Sequence, residues 1–195
     1  MKIISFEGIE GVGKSTQIEL LKKFLEKNSK SVEVFREPGS TLSGEKIRDI
    51  LLDDQYDLSS KTELLLMFSA RSELVNKKIN NSTADYLLLD RFFDASLAYQ
   101  GYGRNLSIEL INKLVDFIDC PSPDLSFLID ISVEEGFARK INDKIDRIES
   151  SGYDFFNKVR NGYLEIAKNN EDRFIIINGS KTVDEIHNNI IQSID

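Results

Sequence analysis

Five short apolar stretches recur along the chain, and sequence with helical periodicity separates each from the next. The predicted strands are Lys2 to Phe6, Val32 to Arg36, Tyr86 to Asp90, Leu125 to Asp130 and Phe174 to Asn178. The predicted helices cover about 15 to 28, 43 to 52, 59 to 80, 107 to 119, 133 to 141, 152 to 169 and 182 to 194. This alternation of strands and helices predicts an α/β fold.

Two of the strands are apolar at every position instead of alternating, at Leu87-Leu88-Leu89 and at Phe127-Leu128-Ile129. Strands of this kind are covered on both faces, so we expect a parallel sheet with helices on both sides. Ligands of open parallel sheets bind beyond the carboxyl ends of the strands. The candidate site segments are therefore Glu7 to Ser15, Arg36 to Thr41, Asp90 to Arg91, and Asp130.

Length and charge limit what the chain can be. With 195 residues, of which 41% are hydrophobic and 30% charged, we expect one domain over 1–195. The absence of a leader or a long apolar run, and the single cysteine Cys120, predict a cytoplasmic protein without a membrane anchor. A net charge of -8 argues against a broad nucleic-acid surface, so we expect a small anionic ligand held by clustered cations.

The segment after the first strand matches the phosphate-loop pattern GxxxxGK[ST] in full. Glycines let backbone N–H groups converge on phosphate oxygens, a lysine reaches the β and γ phosphates, and a hydroxyl binds the magnesium that they carry. The following helix adds its positive N-terminal end to the same anion site. The predicted nucleotide-binding residues are Gly8, Ile9, Glu10, Gly11, Val12, Gly13, Lys14 and Ser15.

Two carboxylates compete for the magnesium ion. Asp90 ends a strand and precedes Arg91, so together with Ser15 it could hold the metal while the arginine faces phosphate. The alternative is that Asp90 caps the next helix. Asp130 also ends an apolar strand, but it has no neighbouring cation in the sequence and leads into helix-capping residues. We therefore predict Ser15 and Asp90 as the metal ligands.

Three other segments allow an ordinary and a functional interpretation. The turn at 36–41 is either a surface turn or a charged wall of the crevice. Phe68 and Arg71 are either core and surface residues, or a ring and a cation that bind a base from one helical face. The stretch 139–147 is either a solvated helix with ion pairs, or a lid whose arginines close over a transferring phosphate.

In their order along the chain, these elements resemble the thymidylate kinase (dTMP kinase) family over nearly the whole sequence. The matching motifs are Phe6-Glu7-Gly8 with the phosphate loop, Arg36-Glu37-Pro38-Gly39, Phe68-Ser69-Ala70-Arg71, Asp90-Arg91 with Ala98-Tyr99-Gln100-Gly101, and Asp146-Arg147-Ile148-Glu149 with Phe155-Phe156. The resemblance implies a P-loop NTPase-type, doubly wound, five-stranded parallel sheet. It also implies a homodimer that uses ATP and Mg²⁺ to phosphorylate deoxythymidine monophosphate, for dTTP and DNA precursor synthesis.

The resemblance further implies which residues bind the acceptor nucleotide. They would be Glu10, Arg36, Glu37, Arg48, Phe68, Arg71, Arg91, Ser96, Tyr99 and Gln100. Phe68 would stack on thymine and Arg71 would hydrogen-bond its carbonyl, while Tyr99 would disfavour a 2′-hydroxyl. Arg48 and Arg91 would hold the acceptor phosphate.

Some members of the family carry an arginine directly after the acid of the phosphate loop, and others supply that arginine from the lid. Here Gly11 follows Glu10, so the resemblance points to the lid-arginine type, with a lid at about 139–150. The implied catalytic cations are Lys14, Arg91, Arg139 and Arg147.

Two alternative functions remain open at this point. One is another P-loop nucleoside or nucleotide kinase with a different acceptor. The other is a GTP-dependent switch, whose guanine-reading element is normally NKxD. The nearest match, Asn112-Lys113-Leu114-Val115-Asp116, has one residue too many and lies in helix-patterned sequence.

Overall fold

Five parallel strands form one sheet in the computed structural model, which describes residues 1–140 and 146–194. The strands are β1 Lys2–Glu7, β2 Val32–Arg36, β3 Tyr86–Asp90, β4 Leu125–Asp130 and β5 Phe174–Asn178. Their order across the sheet is β2-β3-β1-β4-β5, so the chain starts at the centre and winds outward in both directions. The predicted doubly wound, five-stranded parallel sheet is confirmed, and only β1 is one residue longer than expected.

The predicted helices are present, each within three residues of its expected ends. The helices are α1 Lys14–Lys27, α2 Leu42–Leu52, α3 Ser60–Lys77, α4 Phe93–Ser96, α5 Ile108–Phe117, α6 Val133–Arg139, α7 Gly152–Asn169 and α8 Val183–Gln192, with 3₁₀ turns at Ile79–Asn81 and Glu149–Ser151. None of those in 1–140 and 146–194 combines the length and the apolar character that crossing a membrane requires.

Side-chain caps explain where five of the helices begin. The side chain of Thr41 accepts a hydrogen bond from the N–H of Gly44, and Ser59, Ser107 and Ser132 make the equivalent bond at the starts of α3, α5 and α6. Thr182 forms a reciprocal capping box at the start of α8. These caps satisfy N–H groups that the first helical turn leaves unpaired.

Helix α4 and the segment that continues it were both absent from the prediction. Helix α4 continues as a π-helix over Leu97–Gly103, a wide turn of the kind that often occurs at functional sites. Gly101 and Gly103 lower the helical tendency of this segment, but its packing requires them. A Cβ atom at Gly103 would lie 2.6 Å from Phe155 Cε2.

The register of the central strands brings three candidate segments together. Phe6 in β1 pairs with Asp90 in β3, and Asp90 pairs with Arg36 in β2. The carboxyl ends of these strands therefore lie side by side over a core that includes Ile4, Phe6 and Leu88. This edge of the sheet holds the phosphate loop, the Asp90-Arg91 pair and the turn that follows β2.

Candidate active site

The phosphate loop joins β1 to α1, and its conformation depends on glycine. Gly8, Gly11 and Gly13 have φ angles of 132°, 74° and 91°, which side chains rarely adopt. A Cβ atom at Gly8 would also lie 2.4 Å from the Ile129 carbonyl oxygen, and one at Gly11 would lie 2.3 Å from that of Gly136. The backbone conformation therefore favours glycine at all three positions, and close packing also requires it at Gly8 and Gly11.

Lys14 is the first residue of α1 and lies buried beneath the loop. Its Nζ donates to the carbonyl oxygens of Gly8 and Ile9, at 3.2 and 3.0 Å. Burial lowers the pKa of Lys14 to about 8, and the charge of Arg91 adds to this effect. Because its hydrogen-bond partners are neutral carbonyl groups, the ammonium charge remains available to an anion in the loop.

Ser15 and Asp90 lie next to each other at the mouth of the loop. Ser15 Oγ donates to Asp90 Oδ2 at 3.1 Å. No group of three or more His, Cys, Asp or Glu side chains suited to a metal occurs in the described part of the chain. One hydroxyl and one carboxylate are nevertheless the hard oxygen ligands that fit Mg²⁺, which takes its other ligands from water and phosphate.

The competing interpretations of the two aspartates are not supported by their contacts. Phe92, not Asp90, occupies the N-cap position of α4, and its own side chain makes no capping hydrogen bond. Asp130 does have a cation, since Arg160 in α7 donates to both of its carboxylate oxygens at 2.7 and 2.8 Å. The sequence alone gave no sign of this ion pair, because Arg160 follows Asp130 by thirty residues.

Arg91 connects the phosphate loop to the segment after β3. Its Nη1 donates to the Gly8 carbonyl oxygen at 2.7 Å, and its Nη2 donates to Glu10 Oε1 at 2.8 Å. The guanidinium carbon lies 4.9 Å from the ring centre of Tyr99, whose hydroxyl donates to the Glu10 carboxylate. An acid, an arginine and a tyrosine from distant positions in the chain thus form one cluster.

Two adjoining cavities surround this cluster. The larger, which we call the loop cleft, has a volume of about 480 Å³ and follows residues 10–16. The smaller, which we call the inner cavity, has a volume of about 90 Å³ and extends toward α3 and the π-helix. The residues that line both are Glu10, Glu37, Arg48, Arg91 and Asp146. Two small molecules could therefore meet beside Arg91.

Arg71 forms part of the wall of the inner cavity and is only 2% exposed. It donates from Nε to Glu37 Oε2 at 2.7 Å, from Nη1 to Ser96 Oγ at 3.0 Å and from Nη2 to the Phe92 carbonyl oxygen at 3.2 Å. Nη2 also lies 2.6 Å from Glu37 Oε2. A guanidinium group has five N–H donors, so one Nη1 hydrogen remains for a ligand.

Glu37 has a raised pKa because burial opposes its ionisation, although the charge of Arg71 acts in the opposite direction. Its Oε1 is buried without a hydrogen-bond partner among the described residues. A buried carboxylate oxygen of this kind is costly unless a ligand or water supplies a donor. The wall between the two cavities is therefore suited to a polar ligand.

The position of Phe68 differs from the prediction that it stacks on a base. Its side chain is 4% exposed, belongs to the hydrophobic core and packs 4.8 Å below the Arg71 guanidinium carbon, outside the lining of both cavities. Met67 lines the inner cavity instead. Residues three and four positions before Arg71 share its helical face, so the sequence did not distinguish the two.

The two arginines predicted for the lid have different environments. Arg139 lines the loop cleft and donates to the carbonyl oxygens of Gly11 and Gly179, at 3.3 and 2.9 Å. Arg147 lines neither cavity, because its guanidinium donates to the Leu51 carbonyl oxygen at 2.7 Å and to buried Glu63 at 2.8 Å. The middle of the predicted lid, 141–145, lies outside the described residues.

The remaining predicted residues lie around the same cavities. Arg36 lines the loop cleft and pairs with Glu45 at 2.8 Å, while Arg48 donates to the Pro38 carbonyl oxygen at 3.0 Å. Gln100 lines the inner cavity and donates to Glu63 at 3.0 Å. Residues at the cavities that lie outside every predicted site segment are Thr16, Leu52, Met67 and Ala95.

Comparison with known proteins gives a consistent result. Residues 6–190 match the family model described as thymidylate kinase. The chain is 44% identical to a thymidylate kinase of Kosmotoga olearia over 97% of this chain and 93% of the relative, and 41% identical to one of Chlorobaculum tepidum over 99% and 96%. It is also similar to the crystal structure of thymidylate kinase from Ehrlichia chaffeensis, with a TM-score of 0.80, 33% identity and coverage of 99% and 97%.

Proposed function

Since this chain belongs to the thymidylate kinase family, we infer that it transfers the γ-phosphate of ATP to deoxythymidine monophosphate. The observation that supports this most directly is the wall shared by the loop cleft and the inner cavity. ATP would occupy the cleft along the phosphate loop, and the acceptor would place its base in the inner cavity. Their phosphates would then meet beside Arg91 and Arg48.

The protein's contribution to the reaction is to position the two substrates and to neutralise their charge. Lys14 and the loop N–H groups hold the β and γ phosphates of the donor, while Arg91 and Arg48 hold the acceptor phosphate in line with them. Ser15 and Asp90 provide a fitting site for Mg²⁺, which when bound neutralises charge between the β and γ phosphates. The transfer requires no covalent intermediate on the enzyme.

The acceptor preference can be tested directly with the purified protein. We expect that, in a coupled assay of ATP consumption, deoxythymidine monophosphate gives the highest kcat/KM in a panel of nucleoside monophosphates and deoxynucleosides. A faster reaction with another acceptor would favour the alternative of a different P-loop kinase. Preference for GTP with slow hydrolysis and no acceptor phosphorylation would favour a switch, although Asn112 and Asp116 lie within helix α5 and not in a loop.

We expect Arg71→Lys to raise the KM for the acceptor about 10-fold or more, with the KM for ATP within twofold of the wild type. Lysine keeps the charge that faces Glu37 but cannot make the forked contacts to Ser96 and a base carbonyl. Initial rates with each substrate varied in turn would show the difference. Arg71→Ala is a poorer test, because it would leave the buried Glu37 carboxylate unpaired and destabilise the fold by about 3–5 kcal/mol. Equal changes in both KM values would contradict the base-site assignment.

We propose that the enzyme is of the lid-arginine type, with Arg139 as the cation nearest to the transferring phosphate. Arg139→Ala should lower kcat by about 10²-fold, because a charge that stabilises the transition state is lost. Arg147→Ala is the matched control. It should lower the melting temperature instead, because Glu63 loses one of its buried cations. A large loss of kcat in Arg147→Ala alone would reverse the assignment.

We also propose a cytoplasmic homodimer that forms through α2 and α3. Leu65 and Leu42 are 58% and 94% exposed on these neighbouring helices, and a second subunit packed there would cover them. Sedimentation equilibrium should give twice the 22.2 kDa chain mass, and Leu65→Lys should shift the equilibrium toward monomer. A monomeric wild type at micromolar concentration would contradict the proposal.

A further inference from the structure

Glu7, the last residue of β1, is a buried acid that lines neither cavity. Its Oε1 accepts a hydrogen bond from the backbone N–H of Phe92 at 2.8 Å, and its Oε2 accepts one from the Tyr163 hydroxyl at 3.0 Å. Because it lies outside both cavities, Glu7 is not placed to contact a substrate. Its two hydrogen-bond partners, Phe92 and Tyr163, indicate which residue it positions.

Both partners of Glu7 are connected to Arg91. Phe92 follows Arg91 in the chain, and the Tyr163 hydroxyl accepts a hydrogen bond from Arg91 Nη1 at 3.1 Å. The backbone of Arg91 is left-handed, with φ at 69°, a conformation that a long side chain adopts only when its surroundings impose it. Hydrogen bonds hold the strained residue on each side, from the Arg91 N–H to the Phe6 carbonyl oxygen at 3.0 Å and from the Phe92 N–H to Glu7.

The burial of Glu7 is unfavourable by itself. Burial raises its pKa to about 8, and nearby Asp94 adds to the rise, while Arg91 and the bonds from Tyr163 and Phe92 lower it. An apolar side chain in this place would avoid the cost of desolvating a carboxyl group. The positions in which Glu7 holds the Phe92 N–H and the Tyr163 hydroxyl offer a reason for an acid at this site.

We propose that Glu7 is a positioning residue that fixes both the backbone and the guanidinium of Arg91. Its bond to the Phe92 N–H holds the left-handed backbone of Arg91. Its bond from the Tyr163 hydroxyl orients the oxygen that accepts a hydrogen bond from Arg91 Nη1. The Gly8 carbonyl and the Tyr163 hydroxyl occupy Nη1, so Nε and one hydrogen of Nη2 are left to face an acceptor phosphate. This proposal rests on the proposed role of Arg91 at that phosphate.

The test compares two substitutions with a control on the same strand. Tyr163→Phe removes the link to the guanidinium, while Glu7→Gln keeps an acceptor for Phe92 but weakens the link to Tyr163. Ser5→Ala is the control, because its buried hydroxyl bonds Ser126 at 2.8 Å and bonds neither Glu7 nor Arg91 among the described residues. We expect the first two to lower kcat/KM for deoxythymidine monophosphate by about 10- to 100-fold, since misplacement of a binding group by about 1 Å has effects of this size.

The KM for ATP should stay within twofold in all three variants, and Ser5→Ala should keep wild-type kinetics even if its melting temperature falls. The Glu7→Gln/Tyr163→Phe double variant should lose less than the product of the single losses, because both act through Arg91. Kinetics like those of Ser5→Ala, or equal losses toward both substrates, would overturn the proposal.

If Glu7→Gln does not fold, Tyr163→Phe still tests the path from Glu7 to the guanidinium, because wild-type kinetics in a folded Tyr163→Phe would overturn that path. The positioning role and the proposed function can fail separately. A wild-type protein inactive toward deoxythymidine monophosphate contradicts the function, whereas an active wild type with unaffected variants contradicts only the positioning role of Glu7.

Discussion

Lys14→Ala is expected to lower kcat for phosphate transfer by about 10²–10³-fold while the protein remains folded. The side chain supplies the buried positive charge beneath the loop, where developing charge on the transferred phosphate must be stabilised. Its hydrogen-bond partners among the described residues are the Gly8 and Ile9 carbonyl oxygens, so its removal breaks no ion pair there. A coupled assay with ATP and deoxythymidine monophosphate, together with circular dichroism, would measure both activity and folding.

The matched control for this substitution is Lys23→Ala on the outer face of α1. Lys23 makes only an exposed pair with Glu19 at 3.1 Å, so its loss should change neither activity nor stability appreciably. Near-normal turnover by Lys14→Ala would contradict the placement of the donor phosphates in the loop.

The same lysine predicts a dependence of ATP binding on pH. Its pKa is lowered to about 8, so below this pH the ammonium is charged and attracts the triphosphate. As the pH rises through about 8, the free enzyme loses this charge and kcat/KM for ATP should fall. Bound phosphates raise the pKa again, so kcat should decline only at higher pH. A profile for kcat/KM that stays flat to about pH 9.5 would contradict this role.

Arg91→Lys is expected to reduce kcat/KM for deoxythymidine monophosphate by about 10²-fold or more. A lysine keeps the charge opposite Glu10, so this partly buried acid remains paired and the fold should persist. Its single ammonium group cannot at once satisfy Gly8, Tyr163, Glu10 and a phosphate, whereas the planar guanidinium has donors on several edges. Steady-state kinetics with varied acceptor at saturating ATP would measure the loss.

Arg160→Lys provides the corresponding control. Arg160 pairs with Asp130 through two hydrogen bonds but lines neither the loop cleft nor the inner cavity. The same chemical change should therefore affect stability slightly and leave the acceptor kinetics unchanged. A similar loss in both variants would indicate a general effect of removing a paired guanidinium group, not a specific role of Arg91.

The fold was largely predictable because its signals are local. Uninterrupted apolar runs such as Leu87-Leu88-Leu89 indicate strands covered on both sides, and the strand ends then select one edge of the sheet. The π-helix escaped prediction because Gly101 and Gly103 weaken the local helical signal. Their role depends on contacts with Phe155 and Ile108, which only the folded chain brings near.

The site was predictable in its motifs but not in its pairings. The phosphate loop and the Asp90-Arg91 pair could be recognised from the sequence, because the residues of each motif are contiguous in the chain. The environment of Arg147 depends on Glu63, and these residues are 84 positions apart. The sequence could not show which of Phe68 and Met67 faces the inner cavity, because helical spacing places both near Arg71. Distant partners and small rotations about a helix axis therefore limited the prediction.

The left-handed backbone of Arg91 also has an evolutionary consequence. Strain of this kind costs about 1–3 kcal/mol, and glycine or asparagine would relieve it. Glycine would, however, also remove the ion pair with Glu10 and the bonds to Gly8 and Tyr163, whose loss outweighs the strain that is relieved. Selection for stability and selection for turnover should therefore both keep an arginine codon at position 91.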